Sequence, residues 1–499
     1  MKRDLIIGIS LLATTFAIRL IFAARLVFPP LDDPAFYLQT ARNLAAGRGL
    51  VSDVIWNYFV PFSAVTHPSH EYWMPLATWL MSPFIKVFGD TLLAAQLPGI
   101  ICGAALAPLT YALGRTTWPN ERERKWAMLA AVLLGVGAVP VYQAASTDGA
   151  APFALCASAA LLTGGLALER RSNRWAMLAG VFSGLAYLAR SDGLLIPALI
   201  GLALVWAAAR RHVSWTVVVA FGAAASLPIG AWGLRNLSVF GVAQPVSPLW
   251  LISLQNYGQL FNSQSVPAIE QLLARGGLFL LDLRVQALGH NLSTWAVIAF
   301  PFGIVGLPGL LLARRPALRL GWLYGLMLVV STALMFSVPT LMGLFYHSAA
   351  ATLPWLAVGC VSVVRRIAQQ RSRLAFALYA VVIGLMISQA AMAWPSVWAD
   401  SRANEMRFAA AVQWLKANVP PGQPIITNEA HSLNYASGYP AMTLPNQEDA
   451  AVVAQLADRY GARFVVVLGS IGLYPQALDQ ATHAIKRWVE GDIVIYELR

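Results

Sequence analysis

Charge is scarce in this chain, and acid is scarcer than base. Only 12% of the 499 residues are charged, 23 acidic against 35 Lys and Arg, while 58% are hydrophobic. That is too apolar for any class of soluble domain. The apolar residues come in long runs, so the chain reads as a polytopic membrane protein. A net charge of +12 would suit nucleic acid. The basic residues sit instead in short clusters between apolar runs, which is the pattern of membrane topology, so nucleic acid is not an expected partner. Cysteine is nearly missing: Cys102, Cys156 and Cys360 each fall inside an apolar run. They read as small buried hydrophobes, with no disulfide or metal set among them. No internal repeat and no low-complexity tract is visible. No small-residue cleavage site follows the first apolar run, which therefore reads as a retained span.

What is there begins with about eleven spans, at about 5–28, 90–113, 126–145, 150–168, 175–189, 193–209, 213–234, 291–313, 320–339, 346–363 and 374–394, each near the ~20 residues a bilayer needs. The segment Glu71–Phe88 is apolar and aromatic but carries Pro75, Pro83 and Lys86. Charge decides its place. If it lies at the surface, one side receives Lys2/Arg3, Arg115/Arg122/Arg124/Lys125, Arg170/Arg171/Arg174, Arg210/Arg211, Arg314/Arg315/Arg319 and Arg365/Arg366/Arg371/Arg373, 18 of the 35 basic residues. By the positive-inside rule that side is cytoplasmic. The N-terminus is then expected inside and the C-terminus outside, in a multi-pass cell-membrane protein. Residues 1–394 form the membrane module, with an outer first loop at 29–89. Beyond Trp394 helical and strand signals alternate: Phe408–Ala417, Pro424–Thr427, Ala450–Tyr460, Phe464–Leu468, Ala477–Val489 and Ile493–Tyr496. Residues 395–499 therefore read as a small extracytoplasmic α/β domain, with Val465–Val467 as a buried parallel strand.

The outer face collects the residues that can do chemistry. Two adjacent carboxylates, Asp32 and Asp33, precede Pro34, and Phe36, Tyr37, Thr40, Ala41 and Leu44 recur on one helical face until Gly47. The pattern predicts a short amphipathic helix along the membrane surface, with Asp33 as its N-cap and Pro34 at the first helical position. One acid satisfies that capping; the second asks for a further role. His67 and His70 stand in THPSHEYW. An H-x-x-H pair is a weak zinc signal, and hydrogen bonding to a polar substrate suits it better. Asp148 in STDGAAP reads equally as a helix cap. Arg190 and Arg235 end spans, where an Arg can snorkel to the headgroups. Arg is disfavoured on the outer side, so these two are also candidates for holding an anion. Tyr346 and His347 open a late span; belt placement explains the tyrosine better than the histidine. Acids and cations at the mouth of an apolar bundle suit a lipid with a phosphate head. Sugar transfer from a lipid phosphate needs cations for the leaving group and one carboxylate as base for the acceptor hydroxyl.

DDPAFYLQTARNLAAGRG resembles the first outer loop of the C-type glycosyltransferase superfamily: an acidic pair, an aromatic, A-x-x-L, then Gly. EYWMPLATWLMSPFIKVFG, LARSDGLL and FYHSAAATLPW follow in that superfamily's order over roughly residues 5–360. The nearest relatives in pattern are protein O-mannosyltransferases and aminoarabinose transferases that modify lipid A. The resemblance implies a glycosyltransferase that takes a sugar from a polyprenyl-phosphate donor to a lipid, glycan or protein acceptor, with membrane lipids around it. Asp33 matches the family's catalytic base, with Asp32 beside it. Where some relatives carry a phosphate-binding Lys, this chain has Tyr72-Trp73; His67, His70 or Arg190 stand in. The resemblance is compatible with a divalent metal, and no ligands are assigned to one. The rival class is a transporter or flippase of lipid-linked saccharides, which calls for broken spans in repeated halves and charges near the midplane.

Overall fold

The structure, a computed structural model, describes residues 2–311, 315–336, 344–469 and 474–499. Arg314 and the ends of two expected spans, at 312–313 and 337–339, lie outside the described residues. Each of the eleven expected spans is helical. Among the described residues eight helices are long and apolar enough to cross a bilayer. Two bent pairs, Glu121–Val136 with Ala138–Ala145 (59°) and Gly277–Ala299 with Phe302–Leu311 (109°), bring the number to ten. The eleventh, Asn173–Ala189, has 17 residues, short of the ~20 that span a bilayer upright. Helix α1 (Lys2–Ala23) leads into the first loop, which holds α2 (Asp33–Ala45) and α3 (Leu76–Phe88). With 13 residues and an internal Pro83, α3 is too short to span, as the charge pattern requires.

Small residues let the spans approach closely, as lipid-embedded helices must. A Cβ added to Gly306 would stand 2.1 Å from the Leu356 carbonyl oxygen, and one added to Gly165 would stand 2.4 Å from the Ala317 Cα. The first broken span has its own clasp. Gly137 is extended at the break, so the carbonyls just before it lose their helical donors. Arg19, fully buried in α1, donates from Nη2 to Leu134 O at 3.0 Å and from Nη1 to Gly135 O at 3.4 Å. A charge inside a span is thereby used on backbone.

The region outside the bundle is one layered unit. Strand β1 (Val51–Ser52) pairs antiparallel with β3 (His67–Pro68). Strand β2 (Val54–Ile55) leaves the first loop and pairs parallel with β5 (Ala441–Thr443). The six-stranded sheet runs β2-β5-β4-β6-β8-β7, with β4 (Ile425–Thr427), β6 (Phe464–Leu468), β7 (Ala484–Glu490) and β8 (Ile493–Leu498). Strand β6 is parallel to β4, as the Val465–Val467 run predicts, and antiparallel to β8. The helix expected across Ala477–Val489 stops at Gln480 and becomes β7. The β7–β8 hairpin turns on Gly491 at φ 59°, a conformation glycine adopts freely. The boundary expected at Trp394 falls within one helix, Ser372–Asn418, so no linker separates membrane from sheet. Because the sheet takes its edge strand from the first loop, α2 is no surface helix: Phe36, Tyr37, Leu38 and Ala41 are buried. They are covered by α3 on one side and by the helix Ala430–Ser437 on the other, where Phe36 meets Trp73 and His431 at ring-centroid distances of 4.3 and 5.2 Å.

Candidate functional site

The chain turns from α1 into α2 at the acid pair. Asp32 has φ 62°, a left-handed conformation costly for a non-glycine residue, of order 1–3 kcal/mol. Its carbonyl accepts from the amides of Ala35 at 3.0 Å and Phe36 at 3.1 Å. Asp32, not Asp33, is thus the N-cap, and its side chain makes no capping bond. The shift by one residue follows from Pro34, which lacks an amide and tolerates the second helical position as well as the first. Thr147 clamps the turn through a hydroxyl bond to Pro34 O at 2.8 Å.

Asp33 therefore projects into a cavity of about 350 Å³ that it shares with His70, Arg190 and His347. Burial pushes its carboxyl up to about 7, helped by the charges of Asp32 and Asp148; the Arg190 charge and the nearby Trp73 indole oppose the rise. Asp32 touches solvent but stands among densely packed groups. It too is raised, by desolvation. Glu429 faces it from the C-terminal half, raised by burial and by the Asp32 charge. Arg190 closes the other side. Its Nε donates to Asp192 Oδ1 at 3.2 Å and Ser348 Oγ at 3.1 Å, and Nη2 to Leu344 O at 3.4 Å. Nη1 makes no hydrogen bond among the described residues, leaving a guanidinium edge for an anion.

The other sequence candidates divide. Asp148 is not the N-cap expected of it: Gly149 takes that place, and Asp148, one residue earlier, accepts from Ala150 N at 2.8 Å and from Ser146 Oγ at 2.9 Å; its Oδ2 stands 3.7 Å from His347 Nδ1. It lies behind the cavity wall, close enough to act on Asp33 by charge. His67 stays outside the cavity. It stacks on Phe62 at 3.6 Å and bonds Val65 O at 2.7 Å. Arg235 also stays outside. It donates to Ser69 O at 2.9 Å and lies over Trp232 and Phe240, which makes it a brace for the His70 turn. Tyr346 lines a second cavity of about 400 Å³ with Phe28, Pro30, Leu31, Tyr142, Trp394 and Asp400. The acid pair separates the two cavities, since Leu31 lines one and Asp33 the other.

Sequence reasoning missed Glu71, the aromatic wall of Trp56, Tyr72 and Trp73, and Tyr257, which reaches the cavity from the connection between the helices Trp215–Phe240 and Gly277–Ala299. Trp56 and Trp73 stand 4.5 Å apart. The cluster of aromatics around THPSHEYW was the available signal. Glu429 carried none, since only the parallel pairing of β2 with β5 brings its segment over the first loop.

No group of three His, Cys, Asp or Glu side chains among the described residues is arranged to hold a metal. The Asp148 carboxylate is occupied by Ser146 and Ala150, and Asp32 and Glu429 are two acids without a third. Among the described residues no such set fits a divalent ion, and no step is derived through one.

The family model for dolichyl-phosphate-mannose-protein mannosyltransferases matches residues 66–232. Among solved structures, ArnT from Cupriavidus metallidurans bound to undecaprenyl phosphate is 13% identical, covers 98% of this chain and 97% of its own, and aligns with a TM-score of 0.58. The chain shares the fold of that structure. An oligosaccharyltransferase from Archaeoglobus fulgidus, in complex with Zn and sulfate, is 16% identical over 94% of this chain and 70% of its own, at a TM-score of 0.58. The archaeal oligosaccharyltransferase AglB with an inhibitory peptide and a dolichol-phosphate is 12% identical, over 91% and 69%, at 0.51. No curated protein matches at the level of sequence.

Proposed function

We propose that the protein is an integral membrane glycosyltransferase that moves a sugar from a polyprenyl-phosphate donor to an acceptor hydroxyl. Asp33 is the general base and Arg190 holds the donor phosphate. The acceptor O–H proton passes to the Asp33 carboxylate as the acceptor oxygen bonds to the anomeric carbon. The bond from that carbon to the phosphate oxygen breaks, and its electron pair leaves with the polyprenyl phosphate. The free edge of Arg190 stabilises that anion, so no general acid is needed. A carboxyl raised to about 7 is matched to proton abstraction near neutral pH.

The observation that carries this reading is the joint presence of Asp33 and Arg190 in one cavity at the end of the bundle. The donor occupies that cavity, and the acceptor arrives past Asp32 from the second one. His347 lies at the Asp33 end and is held by Asp148, so both shape the site. The site faces outward if the basic clusters are cytoplasmic, with residues 395–499 as the extracytoplasmic domain. A transporter gains support from the two broken spans. Yet the 109° bend lends no residue to either cavity among the described residues. Mass spectrometry of envelope glycans, lipids and proteins from cells with wild type, Asp33→Asn or no protein tests the reading. A glycan lost equally in the last two supports it; a glycan retained in Asp33→Asn refutes it.

A further inference from the structure

Two buried groups in the donor cavity are left unused by this mechanism. Glu71 is 8% exposed and His70 is 2% exposed, both line the cavity with Asp33, and each has an unpartnered atom, Oε2 of Glu71 and Nε2 of His70. Buried polar atoms are seldom left so without a ligand to meet them. Their chemistry is of one kind. The Nδ1 atom of His70 faces the Trp73 carbonyl oxygen at 3.2 Å, so it must donate, and Nε2 is then a bare acceptor. Burial holds the ring neutral, and the Arg235 charge adds to that. Glu71 lies within charge reach of the same guanidinium, and its other oxygen, Oε1, stands 3.8 Å from His67 Nε2. Both groups thus present an acceptor atom to the cavity.

Their placement is enforced. His70 sits at φ 68°. Ser69 is held from both sides, its amide on Leu50 O at 2.9 Å and its carbonyl on Arg235 at 2.9 Å. Beside them Trp56 packs on Tyr72 at 5.1 Å and on Trp73 at 4.5 Å. Aromatic faces next to bare acceptors suit a ring with apolar C–H faces and donating hydroxyls at its rim. Arg190 takes the phosphate in the same cavity, so the acceptor pair falls to the sugar.

We propose that Glu71 and His70 read the hydroxyls of the donor sugar, and that Glu71 selects a neutral or amino sugar and rejects one bearing a carboxylate. The proposal rests on the transferase reading above and names its donor class. An acidic sugar would set a second carboxylate against Glu71 with no proton between them, whereas a hydroxyl or ammonium supplies one.

The test uses the full-length protein in detergent with polyprenyl phosphates carrying a neutral hexose, an amino sugar, a uronic acid, or no sugar. Binding is read by thermal shift in an Asp33→Asn background, and turnover in wild type as polyprenyl phosphate released when an envelope extract supplies the acceptor. The expected result is a kcat/KM for the uronic-acid donor about 100-fold below the neutral one. Glu71→Gln should raise the KM for the neutral donor about tenfold and narrow the uronic-acid gap about tenfold, with binding of sugar-free lipid unchanged. His70→Gln keeps an acceptor at the rim and should partly preserve sugar preference. Equal use of the uronic-acid donor in wild type overturns the proposal. So does a Glu71→Gln variant that weakens sugar-free lipid and sugar-bearing lipid alike. If no donor turns over but binding still ranks neutral and amino sugars above uronic acid, the transferase reading falls and the sugar-reading pair stands.

Discussion

Asp33→Asn should do two opposite things: cut turnover and stabilise the fold, the second growing as pH rises from about 4 to 7. In the folded protein burial and the charges of Asp32 and Asp148 raise the carboxyl from an ordinary 3.8 to about 7. The folded state therefore binds a proton that the unfolded chain has already lost between those two values. Stability falls as pH rises through that window, and the full penalty is present above 7. A displacement of about 3 pH units corresponds to ~4 kcal/mol at 1.36 kcal/mol per unit. Water in the cavity reduces this, so ~2–3 kcal/mol is expected. Asparagine has the same shape and no charge, and no capping bond is lost, because neither acid caps α2 through its side chain. Thermal denaturation of the purified pair at pH 4 and pH 8 reads the difference: only a small advantage for Asp33→Asn at the lower pH, and its full advantage at the upper. Turnover should fall ~10²–10⁴-fold. A variant less stable than wild type at pH 8, or a difference that ignores pH, would refute both the burial of this charge and its release as base.

Wild-type kcat/KM should rise with pH along an acid limb centred near 7, the pH at which Asp33 becomes available as base; a limb near 4 would place the base elsewhere. Arg190→Lys should raise the donor KM ~10–100-fold with a smaller change in kcat, since a lysine cannot hold Asp192, Ser348 and a phosphate edge together; lipid-phosphate titration checks this. Arg19→Met should destabilise the bundle by ~2–4 kcal/mol, because the Leu134 and Gly135 carbonyls at the broken span lose their donors. Detergent melts read this, and an unchanged midpoint would mean that another group satisfies them.

The membrane part was legible because its signals are local. Twenty apolar residues mark a span wherever they fall, and basic clusters distinguish α3 from a span without any knowledge of packing. The acid pair was legible for a similar reason: one aspartate more than a cap requires. Its role in the helix was misread because proline tolerates two positions near a helix start, and only backbone geometry chooses between them. Arg19 could be seen as a charge in a span, but not as a clasp, since the break it serves lies more than a hundred residues away. Glu71 was hidden by its company. In a run of histidines and aromatics a single acid reads as the polar edge of a surface segment. It becomes notable once β1 and β3 close the loop and Arg235 fixes the turn, leaving that carboxylate inside.

The first loop and the C-terminal sheet cannot be separated without exposing the acid pair. Strand β2 is two residues long, too short to persist alone, and it holds the loop to β5 while Ala441 N bonds Asp53 O at 2.9 Å. Asp53 is in turn gripped by Arg48 at 2.7 and 2.8 Å and by Thr66 at 2.7 Å, so the anchor reaches the segment that turns into His67 and His70. On the opposite face of the loop, Ser401 of the long helix binds the Phe28 amide and carbonyl at 2.9 Å each, four residues before Asp32. The chain that carries the two carboxylates is thus pinned at both ends by the C-terminal third. The sheet and the long helix fix where Asp33 points, while the bundle supplies Arg190. A shift of one against the other would part the base from the phosphate site, which is why one helix runs unbroken from the membrane into the sheet layer.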